Sequence, residues 1–365
     1  MSAIRIIGHT VLYKDKQYNS FPSVVKLNDG SFLLGFRQAP ERQDAYGSVT
    51  HVDTSSKAVT ISTRDGVSWS GTADILWDDF FYGVQDPFLN VLGDGSLFAT
   101  CFMWKVYERD EAPSRDSGMW HNVLGHWAAR NVGCYTLRSA DGGRTWDRPI
   151  AVSIPDMALR GNCLETDDGA ILAPLYGEED GTSNVVIGRT ADRGLTWTRL
   201  ATIPGMDGHH FHEPTLYRAP SGKLILFTRS RKKVASANEE KTRSPLYTAE
   251  SLDGGHTWSE PRRHDIYSPS PFHLLPLRDG RVLLTYGYRY EPYGIRAIAL
   301  DAECADLGTA AETVLREDGP GVDIGYTSSV QLDDGRVLVT YYYYDEIDRL
   351  RHIAGTYLEI VQSQS

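Results

Sequence analysis

Short runs of apolar residues recur along the chain, and tight turns separate them. Each repeat has one order: an apolar run, a turn of Asp-Gly type and a second apolar run, as in PSVVKLN-DG-SFLLGF and TSSVQLD-DG-RVLVTY. This order is the strongest short-range signal for a β-hairpin. The unit occurs six times, with turns at Asp29-Gly30, Asp94-Gly95, Asp168-Gly169, Ser221-Gly222, Asp279-Gly280 and Asp334-Gly335.

A second motif, S/T-x-D-x-G-x-T-W, lies downstream of several hairpins. It is found at residues 139–146, 190–197 and 251–258, and a degenerate copy one residue shorter ends at Trp69. The Asp side chain of such a turn can accept hydrogen bonds from backbone N–H groups, glycine supplies a positive φ, and the Trp packs on the sheet. The motif therefore predicts a structural turn and no chemistry.

Six hairpins, each followed by two shorter strands, predict an all-β protein built as a six-bladed β-propeller. Radial repetition of four-stranded sheets leaves only short edges exposed. We expect one domain over residues 1–365. An irregular stretch at about 107–130 is interpreted as an insertion at one face, and the polar run 231–243 as a solvated loop.

Composition supports a folded, acidic protein. The 365 residues are 41% apolar, 11% aromatic and 23% charged, with a formal net charge of -11. Such a charge argues against nucleic acid or an anionic membrane as partner, so an anionic ligand would need a local group of cations. The chain shows neither a signal peptide nor a run of about 18 apolar residues. We therefore expect a cytoplasmic protein.

The cysteines suggest neither disulfides nor a metal site. Cys101, Cys134, Cys163 and Cys304 are far apart and lack C-x-x-C spacing, so buried free thiols are expected. The histidines at 209, 210 and 212 fit none of the usual zinc patterns. We predict no metal and no cofactor.

The hairpin register predicts which residues share a face. If all six turns lie on one side, the first strands begin and the second strands end on the other side. Eight residues before each turn stand Phe21, Asp86, Arg160, Glu213, Pro271 and Tyr326; eight residues after it stand Arg37, Phe102, Tyr176, Arg229, Gly287 and Tyr342. Arginines, acids and tyrosines converging on one mouth are typical of a ligand site.

The S/T-x-D-x-G-x-T-W octet resembles the Asp-box, or BNR repeat, of the sialidase (neuraminidase) superfamily of β-propellers. The order of the charged residues along nearly the whole chain is similar to that family as well. The segments that carry this likeness are GFRQAPE with Arg37, HEPTLYRAPSGKLILFTRS with Glu213 and Arg229, YGYRYEPYGIRA with Arg289 or Arg296, and GYTSSVQLDDG with Tyr326. The first segment departs from the family, because Gln38-Ala39-Pro40 replaces its Ile-Pro.

The resemblance implies a retaining exo-glycosidase that removes a terminal sialic acid or a related acidic sugar from a glycan. Three arginines would bind the substrate carboxylate: Arg37, Arg229 and either Arg289 or Arg296. Tyr326 would be the nucleophile and Glu213 its base. Sialidases are an exception to the two-carboxylate scheme of glycoside hydrolysis. The acid/base would be an Asp in the loop after Arg37, for which we choose Asp53 over Asp44.

Two other functions stay open. Arg160 and Asp86 share the register, and His51 and His212 lie in segments of the same rim. These residues suit a polysaccharide lyase or an unusual glycosidase acting on uronate-containing glycans, where His or Tyr removes a proton next to a carboxylate. A propeller that binds a glycan without catalysis is the third possibility, since fold does not dictate activity.

Overall fold

The computed structural model describes residues 4–114, 118–232 and 243–361. Within these ranges 25 strands form six sheets, and the sheets are the blades of a β-propeller. The predicted all-β, six-bladed architecture is confirmed. No helix in the described ranges has the length and apolar character needed to span a bilayer.

The blades follow one another along the chain. Blade 1 contains β2 (Gln17–Lys26), β3 (Phe32–Pro40), β4 (Lys57–Thr63) and β5 (Asp74–Trp77). Blade 2 contains β6 (Gly83–Val91), β7 (Leu97–Glu108), β8 (Trp120–Val123), β9 (Trp127–Ser139) and β10 (Ile150–Ala151). Blade 3 contains β11 (Leu164–Glu165), β12 (Ile171–Glu179), β13 (Thr182–Thr190) and β14 (Thr198–Ile203).

The second half of the ring has the same plan. Blade 4 contains β15 (His209–Arg218), β16 (Leu224–Lys232), β17 (Pro245–Ser251) and β18 (Arg262–Tyr267). Blade 5 contains β19 (Phe272–Pro276), β20 (Val282–Tyr288), β21 (Gly294–Leu300) and β22 (Glu312–Arg316). Blade 6 contains β23 (Gly325–Gln331), β24 (Val337–Tyr343), β25 (His352–Ile360) and β1 (Ile4–Tyr13).

Blade 6 joins the two ends of the described chain. Its outer strand is β1, which pairs antiparallel with β25 from Ile4 opposite Ile360 to Tyr13 opposite Ile353. Sequence reasoning expected each hairpin to be followed by its own two further strands. In blade 6 one of those strands comes instead from the start of the chain, and this pairing closes the ring.

The turns are those that the sequence predicts. At each hairpin turn a glycine with positive φ follows the Asp or Ser, for example Gly30 at 85° and Gly335 at 92°. In the downstream octet, the N–H and hydroxyl of Thr145 donate to Asp141, and the indole N–H of Trp146 donates to the carbonyl of Gly143. The hydrogen bonds from Thr145 lower the pKa of Asp141 to about 2. The two hydrogen bonds from the threonine of the octet recur in the other copies. Thr196 donates them to Asp192, and Thr257 donates them to Asp253.

The core lies between neighbouring blades. Leu172 and Val185 of blade 3, for example, belong to one buried cluster with Leu216 and Leu226 of blade 4. The four cysteines are buried and free. Each blade therefore covers the apolar face of the next, which holds the six strand starts around a common axis.

The stretch at about 107–130 is largely strand. It contains the end of β7, a 3-10 turn (Arg109–Glu111), all of β8 and the start of β9, and β8 pairs with β9 as an added hairpin on blade 2. Residues 115–117 lie outside the described ranges. Of the polar run 231–243, the first two residues end β16, and residues 233–242 also lie outside the described ranges.

Candidate active site

Four of the predicted register positions share an unusual backbone. Phe21, Asp86, Glu213 and Tyr326 have φ of 57°, 44°, 46° and 55°. Each lies at a register shift between the first two strands of its blade, which marks a β-bulge. Positive φ is uncommon outside glycine. The bulge repeats on four blades, and three of its residues, Phe21, Glu213 and Tyr326, line the cavity at the mouth of the propeller.

Tyr326 and Glu213 form the central pair of the site. The Tyr326 hydroxyl donates a short hydrogen bond to Glu213 Oε1, and Arg229 Nη1 donates to Glu213 Oε2. Arg229 Nη1 lies 3.5 Å from the Tyr326 oxygen. Burial and the Glu213 carboxylate raise the pKa of Tyr326 well above its ordinary value. The Tyr326 phenol is therefore neutral in the free site. The Glu213 carboxylate, which accepts its hydrogen bond, can take its proton.

Of the two other arginines predicted for the site, Arg289 contacts Tyr326, whereas Arg37 does not line the cavity. Arg289 donates to the carbonyl of Ile324 and to the Tyr342 hydroxyl, both at 2.7 Å, and its Cζ lies 5.1 Å from the ring centroid of Tyr326. Arg37 is fully buried in blade 1, with its Cζ 5.3 Å from the ring centroid of Tyr18. None of the Arg37 guanidinium nitrogens has a hydrogen-bond partner among the described residues. Burial lowers the pKa of Arg37.

Arg296, the alternative to Arg289, points elsewhere. It donates to the carbonyls of Arg316 and Pro292, and its Nε lies 3.6 Å from Glu312. Its side chain is thereby used within blade 5. The structure brings Arg289, and not Arg296, to Tyr326.

Asp86 and Arg160 lie beneath the mouth. They form a buried pair, with 3.7 Å between Arg160 Nε and Asp86 Oδ2. Arg160 Cζ lies 5.3 Å from the ring centroid of Tyr326. Burial raises the pKa of Asp86 to about 7, although Arg160 acts in the opposite direction. Neither residue lines the cavity above the site. Arg160 packs against the Tyr326 ring, and Asp86 pairs with Arg160.

A cavity of ≈ 480 Å³ opens above these residues, and all six blades contribute to its wall. Its size is in the range of small-molecule sites. The central pair lines one part of this cavity together with two arginines, Arg229 and Arg289. The rest of the lining is rich in histidine and aromatic residues: Phe21, His51, Trp104, Trp120, His121, Tyr176, His210 and His212.

Burial lowers the pKa of three cavity histidines, His51, His121 and His212, in the free site. Burial and the neighbouring His121 lower the pKa of His51 well below its ordinary value, and Arg37, Arg289 and Arg229 act in the same direction. Burial and Arg229 lower the pKa of His212 in the same way. The cavity therefore presents neutral imidazoles beside cationic guanidinium groups. In the described ranges no group of three His, Cys, Asp or Glu side chains could hold a metal ion.

Asp53 and Asp44 are not part of the cavity wall. The Asp53 carboxylate is buried and accepts hydrogen bonds from Arg42 Nε and from the N–H of Ser55, both at 2.8 Å. Asp44 is exposed on a short helix, α1 (Gln43–Tyr46). From this loop, His51 is the residue that reaches the cavity.

Sequence reasoning missed several residues of the cavity wall: Asp323 and His121, and also Arg231 and Lys232, which it expected in a solvated loop. Asp323 lines the cavity and accepts hydrogen bonds from Tyr18, Tyr342 and Arg351, at 2.9, 3.0 and 2.8 Å. It lies three residues before Tyr326, and that proximity was the available signal. His121 lies on β8, in the added hairpin, where no repeat register applies.

The family comparison agrees with the geometry. The model of the BNR repeat-like domain matches residues 119–339, more than half of the chain. The chain belongs to the BNR repeat-like family. This confirms the predicted relationship to BNR-repeat propellers of the sialidase type.

Solved structures include other propellers similar to this BNR repeat-like protein. A protein of unknown function from Dyadobacter fermentans is 33% identical, with a TM-score of 0.87 over 99% of this chain and 100% of its own. The Hadza microbial sialidase Hz136 is 18% identical, with a TM-score of 0.65 over 93% of this chain and 65% of its own.

An α-L-arabinanase from Penicillium chrysogenum, complexed with arabinobiose, is also similar. It is 14% identical, with a TM-score of 0.62 over 98% of this chain and 99% of its own. At such identities the last two likenesses concern the fold alone. A comparison with curated protein sequences finds no match.

Proposed function

We propose that this protein is a retaining exo-glycosidase that hydrolyses a terminal sialic acid or a related acidic sugar from a glycan. The observation that carries the proposal is the hydrogen-bonded pair of Tyr326 and Glu213, with Arg229 bound to the same carboxylate. Covalent catalysis needs a nucleophile that an adjacent base activates. A phenol hydrogen-bonded to a buried carboxylate meets this requirement, because the carboxylate can take the phenol proton during attack.

The arginines account for the acidic substrate. Arg229 and Arg289 line the cavity beside Tyr326, whereas Arg37 is fully buried and outside the cavity wall. Guanidinium groups bind carboxylates in a planar, bidentate manner. A sugar whose carboxylate is bound by Arg229 and Arg289 would have its pyranose ring over Tyr326. The similarity to propellers whose names describe a sialidase and an arabinanase supports glycoside hydrolysis as the reaction class.

A neutral nucleophile suits such a substrate. An anomeric carbon that bears a carboxylate would repel an Asp or Glu nucleophile, whereas a phenol approaches without charge. In the first step the Tyr326 oxygen bonds to the anomeric carbon as its proton passes to Glu213, and the bond to the leaving oxygen breaks. In the second step water displaces the tyrosine oxygen, which regains its proton from Glu213, and the two inversions give net retention of configuration.

Tyr326→Phe tests the proposal. The variant keeps the ring and removes the attacking oxygen, so we expect kcat/KM on a 4-methylumbelliferyl sialoside to fall by at least about 10²-fold. Tyr341→Phe is the matched control, because Tyr341 is also a buried tyrosine of blade 6 but bonds to Thr356 away from the cavity. Equal activities of Tyr326→Phe and wild type would refute the proposed function.

The histidine-lined wall favours a second candidate. A neutral imidazole beside arginines that bind a uronate carboxylate can remove the adjacent proton, which is the chemistry of a polysaccharide lyase. Such a reaction yields an unsaturated product that absorbs in the near ultraviolet. Incubation with uronate oligosaccharides, followed by absorbance and by reducing-sugar release, separates elimination from hydrolysis.

A further inference from the structure

We infer that His51 is the catalytic group that gives a proton to the leaving oxygen and later takes one from water, and that His121 positions it. The inference rests on the proposed glycosidase function. That proposal names the nucleophile and its base but no group that protonates the leaving oxygen, and His51 fills this role. Hydrolysis by a retaining route needs such a group on the side of the leaving group.

The carboxylates of the cavity wall are already engaged or remote. Glu213 is bonded to Tyr326 and Arg229, and Asp323 is bonded to Tyr18, Tyr342 and Arg351. Glu178 is exposed on the rim at the end of β12. None of the three is free to exchange a proton above Tyr326, so the candidates that remain are histidines.

The histidines fall into two pairs on different blades. His210 and His212 lie on β15, with ring centroids 6.1 Å apart, and His212 directly precedes Glu213. They therefore lie on the side of the base that activates Tyr326. The Nδ1 atom of His210 accepts a hydrogen bond from the N–H of Ser183 at 2.9 Å, which fixes that ring.

His51 reaches the cavity from the loop of blade 1, next to Phe21. Its ring centroid is 6.3 Å from that of Phe21, and the Phe21 ring centroid lies 4.5 Å from that of Tyr326. Glu213 and its neighbouring histidines line the cavity from blade 4, whereas His51 lines it from blade 1. The leaving oxygen would therefore lie on the blade 1 side, apart from the base that activates Tyr326.

His121 holds the His51 ring. The two ring centroids are 4.8 Å apart, and His121 is itself 6.2 Å from Trp104. His121 comes from the added hairpin of blade 2, whereas His51 comes from the loop of blade 1. The hairpin therefore supplies the contact that fixes the orientation of the proposed donor.

The protons balance over the two steps. Protonated His51 donates to the leaving oxygen while the Tyr326 proton moves to Glu213. Neutral His51 then takes a proton from the attacking water, and the tyrosine oxygen regains its proton from Glu213. In the free site, burial, His121, Arg37, Arg289 and Arg229 all disfavour the His51 cation. A substrate carboxylate held by Arg289 and Arg229 offsets the effect of their charges and so favours the His51 cation when substrate is bound.

The test compares two leaving groups in His51→Gln. With 3'-sialyllactose, whose leaving oxygen needs a proton, we expect kcat/KM to fall about 10²- to 10⁴-fold. With the 4-methylumbelliferyl sialoside, whose leaving group departs as a stable anion, we expect a loss below about tenfold. Sodium azide should accelerate steady-state turnover of the aryl substrate and yield a glycosyl azide, because azide needs no base.

The controls separate this inference from the proposed function. His121→Asn should show the same leaving-group difference with smaller losses, and His212→Gln should change both substrates by one factor. Equal losses on both substrates in His51→Gln, without an azide effect, would overturn the role of His51 while Tyr326→Phe still upheld the glycosidase. Activity retained by Tyr326→Phe would overturn the glycosidase itself. His51→Asn gives the same comparison if His51→Gln does not fold.

Discussion

Arg37 shows at the scale of one residue how the molecule favours ligand binding over stability. Its guanidinium is fully buried, and no group in the described part of the chain accepts a hydrogen bond from it. A buried polar group without a partner is destabilising by about 1–3 kcal/mol, and more when it is charged. Arg37 lies outside the cavity wall, but its charge acts on His51 within that wall, so an anion bound in the cavity would offset part of the cost by electrostatic attraction.

Arg37→Met should therefore stabilise the free protein and weaken the binding of an anionic sugar. We expect the free energy of unfolding to rise by about 1–3 kcal/mol and the Kd for a sialic acid analogue to increase at least about tenfold. Urea denaturation and isothermal titration calorimetry measure the two quantities. Arg351→Met is the control of opposite sign, because Arg351 is paired with Asp323 and its loss leaves that carboxylate uncompensated.

The residues of the site differ in how well sequence reveals them. Tyr326, Glu213 and Arg229 follow from a fixed distance to a hairpin turn, since strand register transmits position along a blade. Asp53 and His51 lie in a loop, where no register relates sequence position to direction. The two residues are only two positions apart in sequence. Asp53 binds Arg42, whereas His51 reaches the cavity.

Strand β1 shows at the scale of one element how the ring is held closed. Leu12 is 7% exposed and packs in the cluster of β2, β3 and β24, whereas Val11 beside it is 53% exposed. Only Ile4 and Leu12 of β1 are buried, and Leu12 packs in a cluster shared by blades 6 and 1. Burial of Leu12, together with the ladder to β25, stabilises the closed ring.

Leu12→Ala should destabilise the protein by about 2–5 kcal/mol, because it removes buried methyl groups and leaves a cavity. Val11→Ala, on the exposed face of the same strand, should change the free energy of unfolding by less than about 0.5 kcal/mol. Chemical denaturation measures both. Similar effects of the two substitutions would contradict the closure by β1.

Sequence predicts the elements whose partners are close along the chain. The six hairpins and the Asp-box turns follow from local residues, since glycine and aspartate determine the turn and the flanking strands pair at once. The pairing of β1 with β25 joins residues at opposite ends of the chain, and no local pattern specifies it. The β8–β9 hairpin lacks an Asp-Gly turn and therefore appeared irregular.

The whole molecule carries its charge unevenly. The formal net charge is -11, yet Arg229, Arg289, Arg231 and Lys232 all line one cavity. An acidic exterior around a cationic cavity favours an anion that is small or terminal, because a long polyanion would meet the rest of the surface. The composition argues against nucleic acid and anionic membranes as partners, and the cavity gives the proposed acidic sugar a site with local cations.

Closure of the ring has its own test at this scale. A chain without residues 1–13 would leave the edge of β25 unpaired, and free sheet edges promote association. We expect this variant to melt at a lower temperature and to form dimers or larger species at high concentration. Calorimetry and size-exclusion chromatography at two concentrations measure this, and an unchanged, monomeric variant would contradict it.

The bulge shared by Phe21, Asp86, Glu213 and Tyr326 has a consequence for how such a protein evolves. The left-handed backbone, strained by about 1–3 kcal/mol at each position, carries three of these residues, Phe21, Glu213 and Tyr326, into the cavity wall. These three blades present a phenyl ring, an acid and a phenol from the same kind of hairpin. The scaffold therefore offers three separate positions at which specificity can diverge while the architecture is inherited unchanged.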